Sequence, residues 1–580
     1  MKHVYSLLLT LLLPAILLAQ EETPALYMER LAALERFNGA WLLQDQEGTI
    51  HSGHHGYADA AGTLPIDGQT AFDIGSLTKQ FVAAAILHMA EQNKLLLRAP
   101  INEYLGQYAS EEWEDVTIHH LLTHQSGIPS IMQGGQGLDD FWPQEQPTDW
   151  SSLLSHFAEL EVLFDPGDEC NYSNSGYVLL ALILEVQSGK SFGRYMEEDL
   201  FRANGLHHTT IGRPATAPFA QNCYGYAATD VKAAPAFHHT WYQGAGGAYS
   251  TLSDLHKWLD LLQSGKFLNS KSLDLLWTKH AGMGYGRSYG YGWVLDSYEG
   301  ESIWYHDGTN MGAAAFILAV PGTGERIILL SNRSYAQKEQ LGASAEHIEN
   351  TAFDLLGLNR GKRTDLPPAT GTGILTDISY SGHWLIKDDN YHFTIQQQNE
   401  QWVADTRGSG HALYRHATYS EVSEDSHPFA ASAINAAAHL ANRSFWKFAS
   451  YCTGEMKFVS YSGLLSIGYR PIVKGLGEIN KTVVYGFGRQ HAKVRFFGEH
   501  GMVDFALVYD EDYEIDGVFD TGYPSPLAGA QHRIIPLNDG RLLVDGFSLN
   551  EPDVILELIK NKNELLMTTE GRSFVATRFD

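Results

Sequence analysis

The octapeptide Phe72-Asp73-Ile74-Gly75-Ser76-Leu77-Thr78-Lys79 joins a short apolar run to a periodic one. After it, Phe81, Ala84, Ala85, His88 and Met89 recur at three-to-four spacing, which predicts a helix opened by the serine and running to Pro100. Residues three apart share a helix face, so the Lys79 ammonium can reach the Ser76 hydroxyl. A serine hydroxyl is a weak nucleophile at its ordinary pKa and needs a base within hydrogen-bond reach. The octapeptide offers both in one turn. The bland alternative is a helix-capping serine beside a surface lysine. About one Ser-x-x-Lys tetrad is expected by chance in a chain this long, and Ser444-Phe445-Trp446-Lys447 reads as one, serving β-domain packing.

Two further elements follow in order. Pro166-Gly167-Asp168-Glu169-Cys170-Asn171-Tyr172-Ser173-Asn174 supplies a phenol and an amide, Tyr172 and Asn174, ahead of a second helix. That helix runs from near Ser175 through Tyr177, Leu180, Ile183 and Leu184 to a stop at Gly189. Tyr305-His306-Asp307-Gly308-Thr309 places a His-x-Gly at the entry to a strand, where glycine lets a substrate backbone come close. Ala314 to Val320 and Arg326 to Ser331 read as consecutive strands around the Pro321-Gly322 turn.

Together these elements resemble the serine β-lactamase and penicillin-binding-protein superfamily, in the branch of class C β-lactamases, D-alanyl-D-alanine carboxypeptidases, D-aminopeptidases and related esterases. The stretch Val116 to Pro129, Gly244-Ala245-Gly246-Gly247 with Ser250 to Leu255, and Tyr289-Gly290-Tyr291-Gly292-Trp293 are similar to other family landmarks. The resemblance covers about residues 30 to 357. It implies an α/β domain, an antiparallel sheet flanked by helices plus a helical subdomain, with the site between sheet edge and helical lobe. It further implies Ser76 as acylated nucleophile, Lys79 as proton acceptor or relay, and Tyr172 as a second general acid or base. Asn174, His306, Gly308 and Thr309 would bind substrate, and the main-chain N–H groups of Ser76 and Thr309 would form the oxyanion hole. Whether Lys79 or Tyr172 is the base stays open, since burial lowers a lysine pKa and a nearby cation lowers a phenol's. His306 stands where β-lactamases carry lysine, which weakens the clamp on a substrate carboxylate and disfavours a dedicated β-lactamase.

Composition bounds the rest. The chain has 580 residues, 40 Lys plus Arg against 68 Asp plus Glu, and a formal net charge of -28, a field that repels nucleic acid. With 44% apolar and 12% aromatic residues it has ample material for packed cores. Lys2 and His3, the apolar run Leu7 to Leu18 and the polar Glu21-Glu22 read as a signal peptide over residues 1–20, cleaved near Ala19 or Gln20. The mature chain is therefore expected in the periplasm or the medium, with no transmembrane segment and no lipid-bearing cysteine. Cys170, Cys223 and Cys452 allow at most one internal disulfide and lack zinc-site spacing.

Of 26 histidines, His120 and His124 have the one-turn spacing seen in zinc sites, but no Glu stands between them as in His-Glu-x-x-His, so no metal and no cofactor is expected. The pairs His54-His55, His207-His208 and His238-His239 read as solvated loops. Cys170 reads as packing. Arg287 and Arg333 are candidate anchors for a substrate carboxylate.

The catalytic region is placed at residues 27–358, followed by a linker at 359–370 that includes Gly361 to Pro368. Beyond it the pattern turns to period two: Tyr391, Phe393 and Ile395 alternate with His392 and Thr394, and Val554 to Ile559 turns at Asn561 into Leu565 to Thr568. Residues 371–580 read as an antiparallel β-barrel or sandwich, divided into two units by Ala430 to Ala441.

The expected function is an exported serine hydrolase that acylates Ser76 and acts on peptides containing D-residues or on small esters. β-Lactam hydrolysis is the alternative among enzymes. A non-catalytic protein that senses cell-wall peptides or β-lactams is the alternative of another class. Expected partners are a small-molecule or peptide substrate and cell-wall material.

Overall fold

The computed structural model describes residues 24–132, 143–215, 217–225, 231–284, 286–334, 341–362, 366–370, 380–386, 391–398, 401–405, 430–441, 445–452, 479–487, 491–498, 501–509, 515–520, 531–545, 554–559, 564–569 and 572–579. The leader at 1–20, Arg363 to Asp365 of the linker, Ser444 and the Asn561 turn lie outside the described residues. The chain divides into two compact units, residues 1–277, 291–293 and 297–368, and residues 278–290, 294–296 and 369–580.

In the first unit, strands β1 (Gly39–Gln44), β2 (Ile50–His55), β3 (Glu301–Asn310), β4 (Ala313–Ala319) and β5 (Arg326–Ser331) lie in the order β2-β1-β5-β4-β3, every neighbour antiparallel. Every residue of β4 and β5 is buried, so these strands read as continuous apolar runs rather than as alternation. Two helices, which carry Lys79 and Asn174, are apolar nearly all round, which is what a fully enclosed helix requires. They are α2 (Thr78–Glu91) and α3 (Asn174–Ser188), following an N-terminal α1 (Pro24–Ala33).

Helix α2 ends nine residues before Pro100, and so is shorter than its apolar periodicity suggests. Asn93 takes φ 57 and turns the chain, while Leu95 is buried from a non-helical segment. By contrast α3 has the expected bounds. The Ser173 hydroxyl accepts from Gly176 N at 3.3 Å, and Gly189 at φ 67 closes the other end in the left-handed conformation.

Helices α4 (Leu252–Ser264) and α5 (Leu341–Asn359) also pack on the sheet. Just past α5, the buried Arg360 guanidinium reaches the enclosed Glu325 carboxylate at 2.6 Å and Glu301 at 2.8 Å, tying the end of this unit to its strands. Among the described residues, no helix is long and apolar enough to cross a membrane.

In the second unit, eight antiparallel strands form a closed barrel, with Gly382–Ile386 pairing both Tyr391–Gln398 and the final strand Arg572–Phe579. Trp384, Phe393, Ile395, Trp402 and Leu556 fill its interior, and Thr394 between two of them is only half-buried, as period two demands. Between the third and fourth barrel strands in sequence lies a separate four-stranded sheet. The run Ala430–Ala441 is a helix whose Ala433, Ala436, Ala437 and Leu440 share one face and pack with Val484, Val494 and Phe496 of that sheet.

Candidate active site

The turn that carries Ser76 is held from below by a buried carboxylate. Asp73 Oδ1 accepts from Gly75 N at 3.0 Å, and its Oδ2 accepts from Asn222 Nδ2 at 3.1 Å and Asn310 Nδ2 at 2.9 Å. Burial raises the Asp73 pKa, while the three N–H donors favour its charged form. Two glycines let β3 lie directly against this turn. Gly75 has φ +49, and a Cβ on it would come within 2.9 Å of Thr309 N; a Cβ on Gly308 would meet Ile74 O at 2.1 Å. Ser76, half-buried in the 3-10 turn Gly75–Leu77 that leads into α2, is thereby set beside the Gly308-Thr309 backbone.

Lys79 is fully buried, and its Nζ donates to three acceptors: Ser76 Oγ at 3.0 Å, Asn174 Oδ1 at 2.9 Å and the Ala245 carbonyl at 2.7 Å. Desolvation brings its pKa down to about 7, with the Asp307 carboxylate pulling the other way. Near neutral pH the amine therefore exists in both protonation states, and the neutral one can accept a proton from the hydroxyl it faces.

The Tyr172 ring lies 4.8 Å from Lys79 Nζ, and its hydroxyl bonds with Ser76. Burial pushes this phenol well above its ordinary value, outweighing the hydrogen bond. Asn174 is oriented from both sides: its Nδ2 donates to Ile131 O at 3.1 Å and its backbone N donates to Ser130 Oγ at 2.9 Å, leaving Oδ1 aimed at Lys79. Ser175 Oγ donates to Pro129 O at 2.6 Å, so the segment from Ile128 to Ile131 is clasped to the start of α3.

His306 is buried in β3 with its ring 6.2 Å from that of Tyr172. Its Nδ1 faces the Asp307 carbonyl at 2.6 Å, which puts a proton on that nitrogen. Burial and Lys79 lower its pKa despite Asp307, so near neutral pH the ring supplies no positive charge.

Ser76, Lys79, Tyr172 and Asn174 thus converge, with His306, Gly308 and Thr309 on the adjoining strand. Arg333 is buried with Nη1 3.5 Å from Gly225 O, and Arg287 falls in the strand Arg287–Tyr289 of the second unit.

The two histidines with zinc-like spacing do different things. The helix Ile118–Leu122 stops before His124; His120 Nδ1 accepts from Thr117 N at 3.3 Å as part of a capping box, and His124 Nδ1 accepts from Ser173 N at 3.0 Å. The His124 ring lies 4.3 Å from that of Tyr172, tilted by 36°, and burial with Lys79 and His306 close by holds its pKa well down. His54 and His55, expected in a loop, lie in β2, where His55 Nε2 accepts from the Trp41 indole at 3.2 Å. None of the three cysteines is in a disulfide; Cys170 Sγ contacts Thr123 O at 3.6 Å, and burial lifts its pKa to about 11.

Sequence reasoning did not single out Asp73, Asn222, Asn310 or the Ala245 carbonyl, and it weighed His124 only as a metal ligand. Asp73 and His124 stand inside stretches quoted for other reasons, and the Gly-Ala-Gly-Gly run was the available signal for a backbone acceptor.

Residues 27–349 match the Beta-lactamase family. Penicillin-binding protein 4* of Bacillus subtilis (strain 168) is 27% identical over 337 residues, which cover 55% of this chain and 74% of that protein. A Beta-lactamase of Escherichia coli (strain K12) is 27% identical over 218 residues, 38% of this chain, and the match spans only 54% of that relative's length. Among solved structures, the octameric penicillin-binding protein homologue from Pyrococcus abyssi shares the fold with a TM-score of 0.51 at 17% identity, covering 95% of this chain and 98% of that one.

Proposed function

The chain belongs to the Beta-lactamase family, a family of serine hydrolases, and on that premise we propose that it works through an acyl group carried on Ser76. The observation that carries this reading is the buried Lys79 amine 3.0 Å from Ser76 Oγ, with its pKa brought down to about 7. Lys79 and Tyr172 are shifted in opposite directions, which supports Lys79 as the base and Tyr172 as a neutral phenol that donates.

In acylation the Ser76 Oγ–carbon bond forms as the hydroxyl proton passes to the neutral Lys79 amine. The bond to the leaving group then breaks as that group takes a proton from Tyr172, which regains one from the protonated Lys79 through solvent. Water attacks the resulting ester, releasing the acid and restoring Ser76. The main-chain N–H groups of Ser76 and Thr309 serve as oxyanion donors; the close approach that Gly75 and Gly308 permit supports that assignment.

The substrates are peptides containing D-residues or small esters. Neutral His306 provides no charge for a substrate carboxylate, which favours amidase, aminopeptidase-type and esterase substrates over those anchored by a free carboxylate. β-Lactam hydrolysis is the alternative, in keeping with the family name. The chain is exported, as the leader-like residues 1–20 indicate. The catalytic region is residues 27–358, with a linker over 359–370 before the β-rich region.

Parallel assays with a chromogenic β-lactam, a p-nitrophenyl ester and a D-amino-acid p-nitroanilide, each with a Ser76→Ala control, test the reading. Turnover of the ester or the D-anilide, lost in the control, is expected. Inertness toward all three would point instead to a binding protein.

A further inference from the structure

A cavity of about 480 Å³ opens in the first unit between the last turns of α3 and the 3-10 turn His239–Trp241, a volume that suits a small organic ligand. Its carboxylate end lies away from the nucleophile, whereas Gln243 in its lining is two residues before Ala245. Asn174 begins α3 and Glu185 lines the cavity near its other end, roughly 16 Å away along the axis at about 1.5 Å per residue.

Tyr108, Trp150 and Phe192 give the cavity aromatic walls, and Asp149 and Glu185 are its charged groups, with no lysine or arginine in the lining. The Glu185 carboxylate is fixed in place: Oε1 accepts from the Trp150 indole N–H at 2.7 Å and Oε2 accepts from Phe192 N at 2.8 Å. Each oxygen keeps a second lone pair for another donor.

Glu185 also stands in the last turn of α3, where the helix dipole is negative and a cation is the favoured neighbour, yet that turn carries no basic residue. The imidazole in the lining does not compensate, because burial and His238 bring the His239 pKa down to about 4. Negative charge, aromatic faces and a neutral acceptor ring are the elements that recognise an organic cation.

We propose that this cavity binds a small ammonium ion carrying an aromatic body, with the ammonium against Glu185 and the ring among Tyr108, Trp150 and Phe192. The proposal is independent of the chemistry at Ser76. It is tested by titration calorimetry of the full chain with phenethylammonium chloride, and in parallel with 2-phenylethanol as the uncharged isostere.

One ion should bind per chain, the alcohol at least about tenfold more weakly. Glu185→Gln should weaken the ammonium by at least about tenfold. Ser191→Trp should abolish binding by filling the mouth; Ser191 is exposed and its side chain makes no capping bond, so this variant decides the question even if Glu185→Gln fails to fold. Absence of binding to the unaltered chain, equal affinity for the alcohol, or undiminished binding by Ser191→Trp would each overturn the proposal.

Discussion

Gly308 faces the carbonyl of Ile74 so closely that a side-chain carbon on it would sit 2.1 Å from that oxygen. The strand carrying His306 and Thr309 and the turn carrying Ser76 can meet at that distance only because position 308 is bare. Gly308→Ala must push strand and turn apart, and a misplacement of about 1 Å in a positioned site costs on the order of 100-fold in rate. Steady-state kinetics should show kcat falling by about that factor, with far-UV circular dichroism unchanged.

Lys79 sets the pH dependence of the reaction. The reactive form of Lys79 is the neutral amine and its pKa is about 7, so the rate of acylation should rise with pH through about 7 and then level. The Asp307 carboxylate favours the protonated form of Lys79, while burial lowers the pKa of His124 and of His306 nearby. Asp307→Asn should move the rising limb to lower pH. A limb that stays in place or moves up would show that another group titrates.

Tyr172 makes a different distinction. A phenol held well above its ordinary pKa serves as a proton donor to a leaving group. Tyr172→Phe should cut turnover of a D-amino-acid anilide by about 100-fold or more, and turnover of a p-nitrophenyl ester by less than about tenfold, because nitrophenolate leaves without a proton. Equal losses on both substrates would make Tyr172 the base.

Asp73 bears on stability. Its removal strands the donors of Gly75, Asn222 and Asn310 in a buried setting. Asp73→Ala should destabilise the first unit by about 3 kcal/mol, read as a lower urea midpoint for that unit's transition. An unchanged midpoint would mean that water or a local shift satisfies the three donors.

What was legible in the sequence was local. Ser76 and Lys79 share one turn, Tyr172 and Asn174 share one loop, and the bounds of α3 follow from Ser173 and Gly189, all within the reach of helix geometry and capping. The alternation at Phe393 and Ile395 likewise announced a sheet with one buried face.

The residues that escaped notice act through partners distant in the chain. Asp73 becomes a cradle only when Asn222 and Asn310 arrive, separated from it by 149 and 237 positions. The third acceptor of Lys79 is the carbonyl of Ala245, a group every residue type possesses and no motif can mark. Helix α2 was overextended because Leu95 keeps the apolar rhythm going, while the left-handed Asn93 breaks the helix without breaking that rhythm. Barrel closure rests on the pairing of Gly382–Ile386 with Arg572–Phe579, the two ends of the region.

The most direct test of the acyl-enzyme account is intact-mass spectrometry of the purified chain quenched during incubation with a chromogenic β-lactam and, separately, a p-nitrophenyl ester, followed by peptide mapping. The account predicts a covalent adduct of the acyl mass on the peptide containing Ser76, absent from Ser76→Ala. Turnover that persists in Ser76→Ala, or that proceeds with the adduct on another residue, would contradict it.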